Sequence, residues 1–232
     1  MKIFISGASS GLGKIIAENL INSGHSICTA SRTKPPFPVK WIKIDLSNLS
    51  EVESKLIPEL FDVDVIINNA GILAGLELNQ FNKNNLTAIA NLNLLSPVLI
   101  TTKLVSLWIK ENRKYGRVIN IGSTAEETGH PDISYSVTKL GLRGLTLSID
   151  QLIPISKNIH INHITIGPMK TSLINKISPK ALEYFKRNIS ITGGYVDCGL
   201  VAKIINQLLK RECKIRGQIL RVHNSRVGWN NG

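Results

Sequence analysis

Residues 2–13, Lys2-Ile3-Phe4-Ile5-Ser6-Gly7-Ala8-Ser9-Ser10-Gly11-Leu12-Gly13, decide the fold of this chain. The run starts with apolar strand formers, which predict a short buried strand, and a glycine-rich turn follows at once. Apolar residues then recur at helical spacing as far as Ser23. This order is typical of a dinucleotide-binding loop, because glycines let the backbone approach a pyrophosphate and the helix start offers free N–H groups. An ordinary glycine-rich turn is the alternative.

The rest of the chain alternates predicted strands with predicted helices. We place strands near residues 2–6, 26–30, 40–44, 63–68, 116–122, 159–166 and 217–222, and helices near 12–23, 49–60, 84–111, 133–153 and 196–210. Such alternation indicates a parallel sheet with right-handed crossovers and helices on both faces. We therefore predict the α/β class, with a Rossmann-like doubly wound parallel sheet in a single domain over residues 1–232.

Tyr135 and Lys139 stand four residues apart in the sequence, so a helix places them on one face. A free phenol has a pKa of about 10, and a neighbouring ammonium favours the phenolate. At about 4 Å and an effective dielectric near 20, that attraction is roughly 4 kcal/mol, or about three pKa units at most. The pair therefore predicts a general acid–base in which the lysine lowers the tyrosine pKa. Ser123 follows the predicted strand 116–122, and ligands of parallel sheets bind at such strand ends.

Further motifs occur in a fixed order along the chain. They are the loop Ser6–Gly13, Asp45, Asn69-Ala70-Gly71, Asn93, Ser123, Tyr135 with Lys139, and the segment Gly167–Thr171. With these motifs the sequence resembles the classical short-chain dehydrogenase/reductase family over roughly residues 2–222. The resemblance implies an oxidoreductase that transfers hydride between a nicotinamide cofactor and a carbonyl or secondary alcohol, with Tyr135 as general acid–base.

The same resemblance implies roles for individual residues. It implies a catalytic tetrad of Asn93, Ser123, Tyr135 and Lys139, in which Lys139 binds the nicotinamide ribose and Asn93 holds a water molecule. It implies that residues 172–195 form a mobile lid over the substrate, where a plain surface helix with a loop is the alternative. The implied cofactor contacts are Gly7, Ser9, Ser10, Gly11, Leu12, Gly13, Ser31, Arg32, Asp45, Leu46, Asn69, Ala70, Gly71, Tyr135, Lys139, Pro168, Met169 and Thr171.

The end of the second predicted strand indicates which cofactor is preferred. An acidic residue there would accept hydrogen bonds from the ribose hydroxyls of NAD and repel a 2′-phosphate. The chain instead has the uncharged Ser31 followed by Arg32, whose guanidinium suits a phosphate. We therefore expect NADP(H) to be preferred over NAD(H). In the alternative, Arg32 stacks on the adenine or faces solvent.

Composition bounds the remaining questions. The chain has 232 residues, 43% hydrophobic, with a net charge of +12, and no apolar run approaches the twenty or so residues of a membrane span. We expect no signal peptide and no membrane segment, and we read the three cysteines as reduced thiols of a cytoplasmic protein. The positive charge is either a solvated surface or an attraction for an acidic or carrier-bound substrate. No motif for reading nucleic acids is present, and we do not expect a nucleic-acid partner.

Several alternatives stay open. His160 and His163 point to opposite faces of a predicted strand, so we expect no metal site. His130 either touches substrate or has a structural role. The long apolar helices suit a homodimer or homotetramer of the kind the family forms, yet they could equally be core. A non-catalytic NADP-binding regulator, or an interaction protein with the same fold, is the alternative to an enzyme.

Overall fold

The structure is a computed structural model that describes residues 1–73, 80–171, 183 and 194–223. Within these residues seven strands form one sheet. The strands are β1 (Lys2–Ser6), β2 (Ser26–Ser31), β3 (Lys40–Lys43), β4 (Val65–Asn68), β5 (Gly116–Ile121), β6 (Ile159–Ile166) and β7 (Ile219–Val222). Their order in the sheet is β3-β2-β1-β4-β5-β6-β7, and every neighbouring pair is parallel. The predicted doubly wound parallel fold is thus confirmed.

Six helical elements connect the described strands. They are α1 (Gly11–Asn22), α2 (residues 49–60), α3 (Lys83–Lys110), α4 (Ala125–Thr128), α5 (Ile133–Leu152) and α6 (Cys198–Leu208). The sequence analysis missed α4, because four residues are too few to show a helical period. Helices α2 and α3, predicted near 49–60 and 84–111, each contain one π-helical turn, at Val52–Leu56 and Asn91–Leu95, and α2 ends in a 3₁₀ turn at Ile57–Leu60.

The sheet separates two hydrophobic cores, which explains why both faces of the strands are apolar. Along β1, Ile3 and Ile5 point to the core under α1 and α6, whereas Phe4 points to the core under α2, α3 and α5. Strands β5 and β6 are buried at every position. Near-continuous burial of this kind is typical of parallel sheets covered by helices on both sides.

Helix α3 is the one described helix that is long and apolar enough, by length and composition, to cross a membrane. Its mean hydropathy is 1.5, whereas the sequence had led us to expect no membrane segment. Its Ile100, Leu104 and Trp108 are fully buried in the core against the sheet. A core helix meets the same length and hydropathy criteria, and the packing of α3 is that of a core helix.

Buried polar side chains fix α3 and α5 above the strand ends. Asn68 of β4 donates to Asn120 of β5 (2.7 Å) and to Thr101 of α3 (3.0 Å). Asn120 in turn donates to Thr146 of α5 (2.9 Å). Breaking any of these bonds would leave a buried polar group without a partner. The network therefore holds the two helices at a defined position over the sheet.

Candidate active site

The glycine loop after β1 has the geometry that the sequence predicted. Gly7 and Gly11 have φ angles of 72° and 55°, in the left-handed region that glycine tolerates best. A Cβ on Gly13 would lie 2.3 Å from the Gly7 carbonyl oxygen, so the start of α1 packs directly on the loop. Ser10 makes no side-chain cap, and the first N–H groups of α1 face the cleft at the end of the sheet.

Ser6, the last residue of β1, and Asn69, which follows the neighbouring strand β4, hold this loop in place. The Ser6 hydroxyl accepts hydrogen bonds from the backbone N–H groups of Asn69 and Ala70, both at 2.9 Å. The Asn69 amide donates to the carbonyls of Ser6 (3.0 Å) and Gly7 (3.1 Å). The Asn69 side chain is therefore committed to supporting the loop.

A cleft of about 390 Å³ runs along the carboxyl ends of the strands. Its walls include every predicted cofactor contact except Pro168, whose carbonyl instead accepts a hydrogen bond from the Val196 backbone N–H (2.7 Å). Further lining residues were not predicted from the sequence, because only the fold brings them to the carboxyl end of the sheet. They are Ala30, Thr33, Ile44, Ile72, Leu92, Ile121 and Gly122. The glycine cradle, the free helix start and the cleft volume fit a dinucleotide.

Ser123, Tyr135 and Lys139 converge at one end of the cleft. Ser123 follows β5, and its side chain is close enough to the half-buried Tyr135 of α5 to lower the pKa of the phenol. The Lys139 Nζ lies 5.6 Å from the centre of the Tyr135 ring and donates to the Ile121 carbonyl (2.7 Å). The predicted catalytic groups are thus neighbours in space.

The expected lowering of the Tyr135 pKa by Lys139 is wrong for the protein by itself. Burial raises the pKa of Tyr135 to about 12, and the Ser123 side chain opposes this only in part. Burial also lowers the pKa of Lys139 to about 8. Loss of solvation therefore dominates both groups. At neutral pH the phenol is protonated and most of the lysine remains an ammonium.

Asn93 lies in the π-helical turn of α3 and is fully buried. Its side chain accepts a hydrogen bond from the Ile72 N–H (2.9 Å), and its amide donates to the Ile72 carbonyl (2.9 Å) and Thr138 (3.3 Å). Single π-helical turns inside α-helices are rare and often occur at functional sites. Because the amide is occupied, the predicted water would have to bind the Asn93 backbone. That role stays a prediction.

At the other end of the cleft, the Arg32 side chain is 73% exposed and lies 3.9 Å from the Asp45 carboxylate. Hydrogen bonds from Ser47 to Asp45 hold the pKa of that carboxyl below its ordinary value. The Ser31 hydroxyl donates to the Thr33 carbonyl (2.7 Å). The guanidinium is therefore the exposed cation at this end of the cleft, and hydrogen bonds hold the polar groups around it.

The His130 ring meets the Tyr135 ring edge-on, with centroids 5.6 Å apart, so it borders the catalytic end of the cleft. The sequence analysis missed Glu126, which lies directly behind Ser123 and pairs with His163. Most of the predicted lid, residues 172–195, lies outside the described residues.

Comparison with known proteins agrees with this geometry. Residues 1–182 match the family described as short chain dehydrogenase. The 3-oxoacyl-[acyl-carrier-protein] reductase FabG of Buchnera aphidicola subsp. Baizongia pistaciae is 30% identical over a 237-residue alignment that covers 94% of each chain. The acetoacetyl-CoA reductase of Cupriavidus necator is 23% identical over 205 residues, covering 81% of this chain and 82% of that one.

Solved structures show the same fold. A 4-hydroxyisoleucine dehydrogenase complexed with NADH superposes with a TM-score of 0.84 at 23% identity, covering 100% of this chain and 99% of that one. The 3-ketoacyl-(acyl-carrier-protein) reductase of Brucella melitensis complexed with NADH gives a TM-score of 0.82 at 20% identity, covering 97% of both chains. At these identities the likeness concerns the fold. Together with the family match, it shows that this chain belongs to the short chain dehydrogenase family of oxidoreductases.

Proposed function

We propose that this protein is an NADP(H)-dependent oxidoreductase that reduces a carbonyl group, with Tyr135 as the proton donor. The observation that carries the proposal is the meeting of Ser123, Tyr135 and Lys139 at one end of a cleft whose other end holds the glycine loop. When bound in that cleft, the nicotinamide would supply the hydride. The protein would supply the proton and the hydrogen bonds.

The three side chains have complementary tasks in this proposal. Tyr135 is protonated at neutral pH, because burial raises its pKa to about 12, and it donates to the oxygen on which negative charge develops. Ser123, whose side chain acts on Tyr135, is a second preorganised donor to that oxygen. The Lys139 ammonium stabilises the phenolate that remains after proton transfer.

Arg32 supports the choice of NADP(H) over NAD(H). Its exposed guanidinium follows β2, whose last residue is the uncharged Ser31 rather than an acidic residue that would accept hydrogen bonds from the ribose hydroxyls. A planar guanidinium can bind a phosphate through two parallel hydrogen bonds. The nearby Asp45 carboxylate would then keep the guanidinium oriented.

The substrate class we favour is a 3-oxoacyl thioester, presented on an acidic carrier protein or on coenzyme A. Two relatives carry such substrates in their names, 3-oxoacyl-[acyl-carrier-protein] reductase and acetoacetyl-CoA reductase. The net charge of +12 would attract either acidic carrier. We also propose a cytoplasmic homodimer or homotetramer, for which the exposed apolar residues of α5 provide the support.

The direct test is oxidation of NADPH with a panel of carbonyl compounds, including acetoacetyl-CoA, the same group on acyl carrier protein, and simple ketones and aldehydes. We expect turnover with at least one member, and a higher kcat/KM for the thioesters. The alternative of a non-catalytic NADP-binding protein is less well supported, because the proton donor and its partners are intact. Binding of NADPH without turnover of any member would favour that alternative.

A further inference from the structure

A tryptophan from the edge strand of the sheet is hydrogen-bonded to the turn that carries Arg32. Trp41 lies in β3, the edge strand next to β2, and its backbone pairs with Thr29 of β2. Its indole Nε1 lies 3.2 Å from both the carbonyl oxygen and the hydroxyl oxygen of Ser31, the last residue of β2. Trp41 is ten positions beyond Ser31 in the chain, and the pairing of the two strands brings the indole to the end of β2.

The directions of these hydrogen bonds follow from the groups themselves. An indole N–H only donates, and a carbonyl oxygen only accepts. The Ser31 hydroxyl therefore accepts from Trp41 and gives its single proton to the Thr33 carbonyl, 2.7 Å away. Although Ser31 lines the cleft, its hydroxyl has no proton left to donate to a ligand there. Its hydrogen bonds close a turn over residues 31–33.

These bonds fix the backbone on both sides of Arg32. On one side, the Ser31 carbonyl accepts from the Trp41 indole and from the Ile44 backbone N–H (3.3 Å). On the other side, the Thr33 carbonyl accepts from the Ser31 hydroxyl. Arg32 stands in the middle of this closed turn, and its exposed side chain lines the cleft. The hydrogen bonds of Trp41 therefore hold the backbone from which the guanidinium reaches the cleft.

A fixed backbone matters for a side chain as flexible as arginine. Arginine loses much rotamer freedom when its guanidinium binds a ligand. If the backbone of residues 31–33 had to be ordered in the same step, the cost would rise and the affinity would fall. This cost applies to a ligand that the guanidinium binds, such as the 2′-phosphate that NADP(H) carries and NAD(H) lacks. A residue that holds the turn therefore acts on the difference in affinity between the two cofactors.

We propose that Trp41 is a positioning residue for cofactor selection: its indole N–H holds the turn over residues 31–33 in the form that presents Arg32 to the 2′-phosphate of NADP(H). This inference rests on the cofactor preference proposed above. It gives the indole a task beyond packing, because a phenyl ring would fill much of the same space without an N–H to donate. Trp41→Phe should therefore weaken the binding of NADP⁺ and leave that of NAD⁺ nearly unchanged.

The experiment measures the dissociation constants of NADP⁺ and NAD⁺ by isothermal titration calorimetry, without any substrate. The ratio of the Kd for NAD⁺ to the Kd for NADP⁺ reports the contribution of the 2′-phosphate. We expect this ratio to fall about fivefold in Trp41→Phe, the effect of one net hydrogen bond. Trp108→Phe is the matched control, because the buried Trp108 Nε1 has no hydrogen-bond partner in the described part of the chain. It should leave the ratio unchanged.

A second background separates positioning from a general effect on the cleft. In Arg32→Ala the ratio should already be low, and adding Trp41→Phe should lower it no further, because Trp41 acts through the Arg32 side chain. Should Trp41→Phe not fold, Ser31→Ala removes the hydroxyl that links Trp41 to Thr33 and should lower the ratio in its place.

The possible results separate the inference from the function on which it rests. The inference alone is overturned if Arg32→Ala lowers the ratio and Trp41→Phe weakens both cofactors equally or neither. A further fall when Trp41→Phe is added to Arg32→Ala also overturns it. A wild-type protein that binds NAD⁺ as tightly as NADP⁺, or a preference for NADP⁺ that survives Arg32→Ala, refutes the proposed cofactor selection and the inference with it.

Discussion

At the scale of single residues, loss of solvation sets the proton states of the catalytic cleft. A buried phenol resists ionisation and a buried amine resists protonation, and the pKa values of Tyr135 and Lys139 show both effects. These pKa shifts suit the proposed reduction, in which Tyr135 must begin as the protonated phenol. The Lys139 ammonium, 5.6 Å from the ring centre, is placed to stabilise the phenolate after the proton has left.

Tyr135→Phe should abolish most of the reductase activity. The substitution keeps the ring and its packing but removes the proton, so kcat should fall by at least about 10²-fold, as is typical of general acid–base groups. Steady-state kinetics with the best substrate of the panel would measure the loss. NADPH affinity, followed by cofactor fluorescence, should change little. Wild-type turnover in this variant would exclude Tyr135 as the donor.

Arg32→Ala should reduce the preference for NADPH. A charge-assisted hydrogen bond contributes about 1.5–3 kcal/mol, so the ratio of kcat/KM for NADPH to that for NADH should fall at least about tenfold. Lys110→Ala is the matched control, because it removes an equal charge from the exposed end of α3, away from the cleft. An equal change in both variants would indicate a general effect of net charge.

At the scale of elements, the loop between β1 and α1 depends on glycine for space as well as for conformation. The Gly7 carbonyl and the Asn69 amide lie 2.3 Å and 2.4 Å from the point where a Cβ of Gly13 would be. Neither can move freely, because the Asn69 amide holds the loop through hydrogen bonds to Ser6 and Gly7. The loop, the helix start and β4 therefore form one unit.

Gly13→Ala should destabilise this unit. Overpacking of a tight site costs typically 1–3 kcal/mol, and we expect a loss of about that size in the free energy of unfolding, together with weaker NADPH binding. Urea denaturation and fluorescence titration would measure the two effects. Ser10→Ala in the same loop is the control for stability, because the Ser10 hydroxyl caps no helix N–H. Equal stability of Gly13→Ala and wild type would contradict the packing described here.

At the scale of the whole molecule, α5 presents apolar side chains to solvent at helical spacing. Val137, Leu140 and Leu147 are 61%, 53% and 44% exposed. The opposite side of the same helix carries Lys139 and packs on the sheet, so α5 connects the candidate interface with the catalytic cleft. Exposed apolar surface of this kind marks interaction sites.

Leu140→Glu should weaken self-association. A charge in the middle of an apolar contact must be desolvated without a partner, so sedimentation equilibrium should show a shift toward monomer. Phe61→Glu is the control, because Phe61 is similarly exposed but lies after α2 on another part of the surface. An unchanged mass in Leu140→Glu would place any interface elsewhere.

The sequence by itself determined the parallel fold, and it predicted the glycine loop and the side chains that we propose as catalytic. Each depends on local order: apolar periodicity marks strands and helices, and the spacing of Tyr135 and Lys139 fixes their common face. The tertiary structure decided the ionisation of these groups and the pairing of Glu126 with His163. Burial is a sum over neighbours from distant parts of the chain, and the contact behind Ser123 exists because β5 and β6 are adjacent in the sheet.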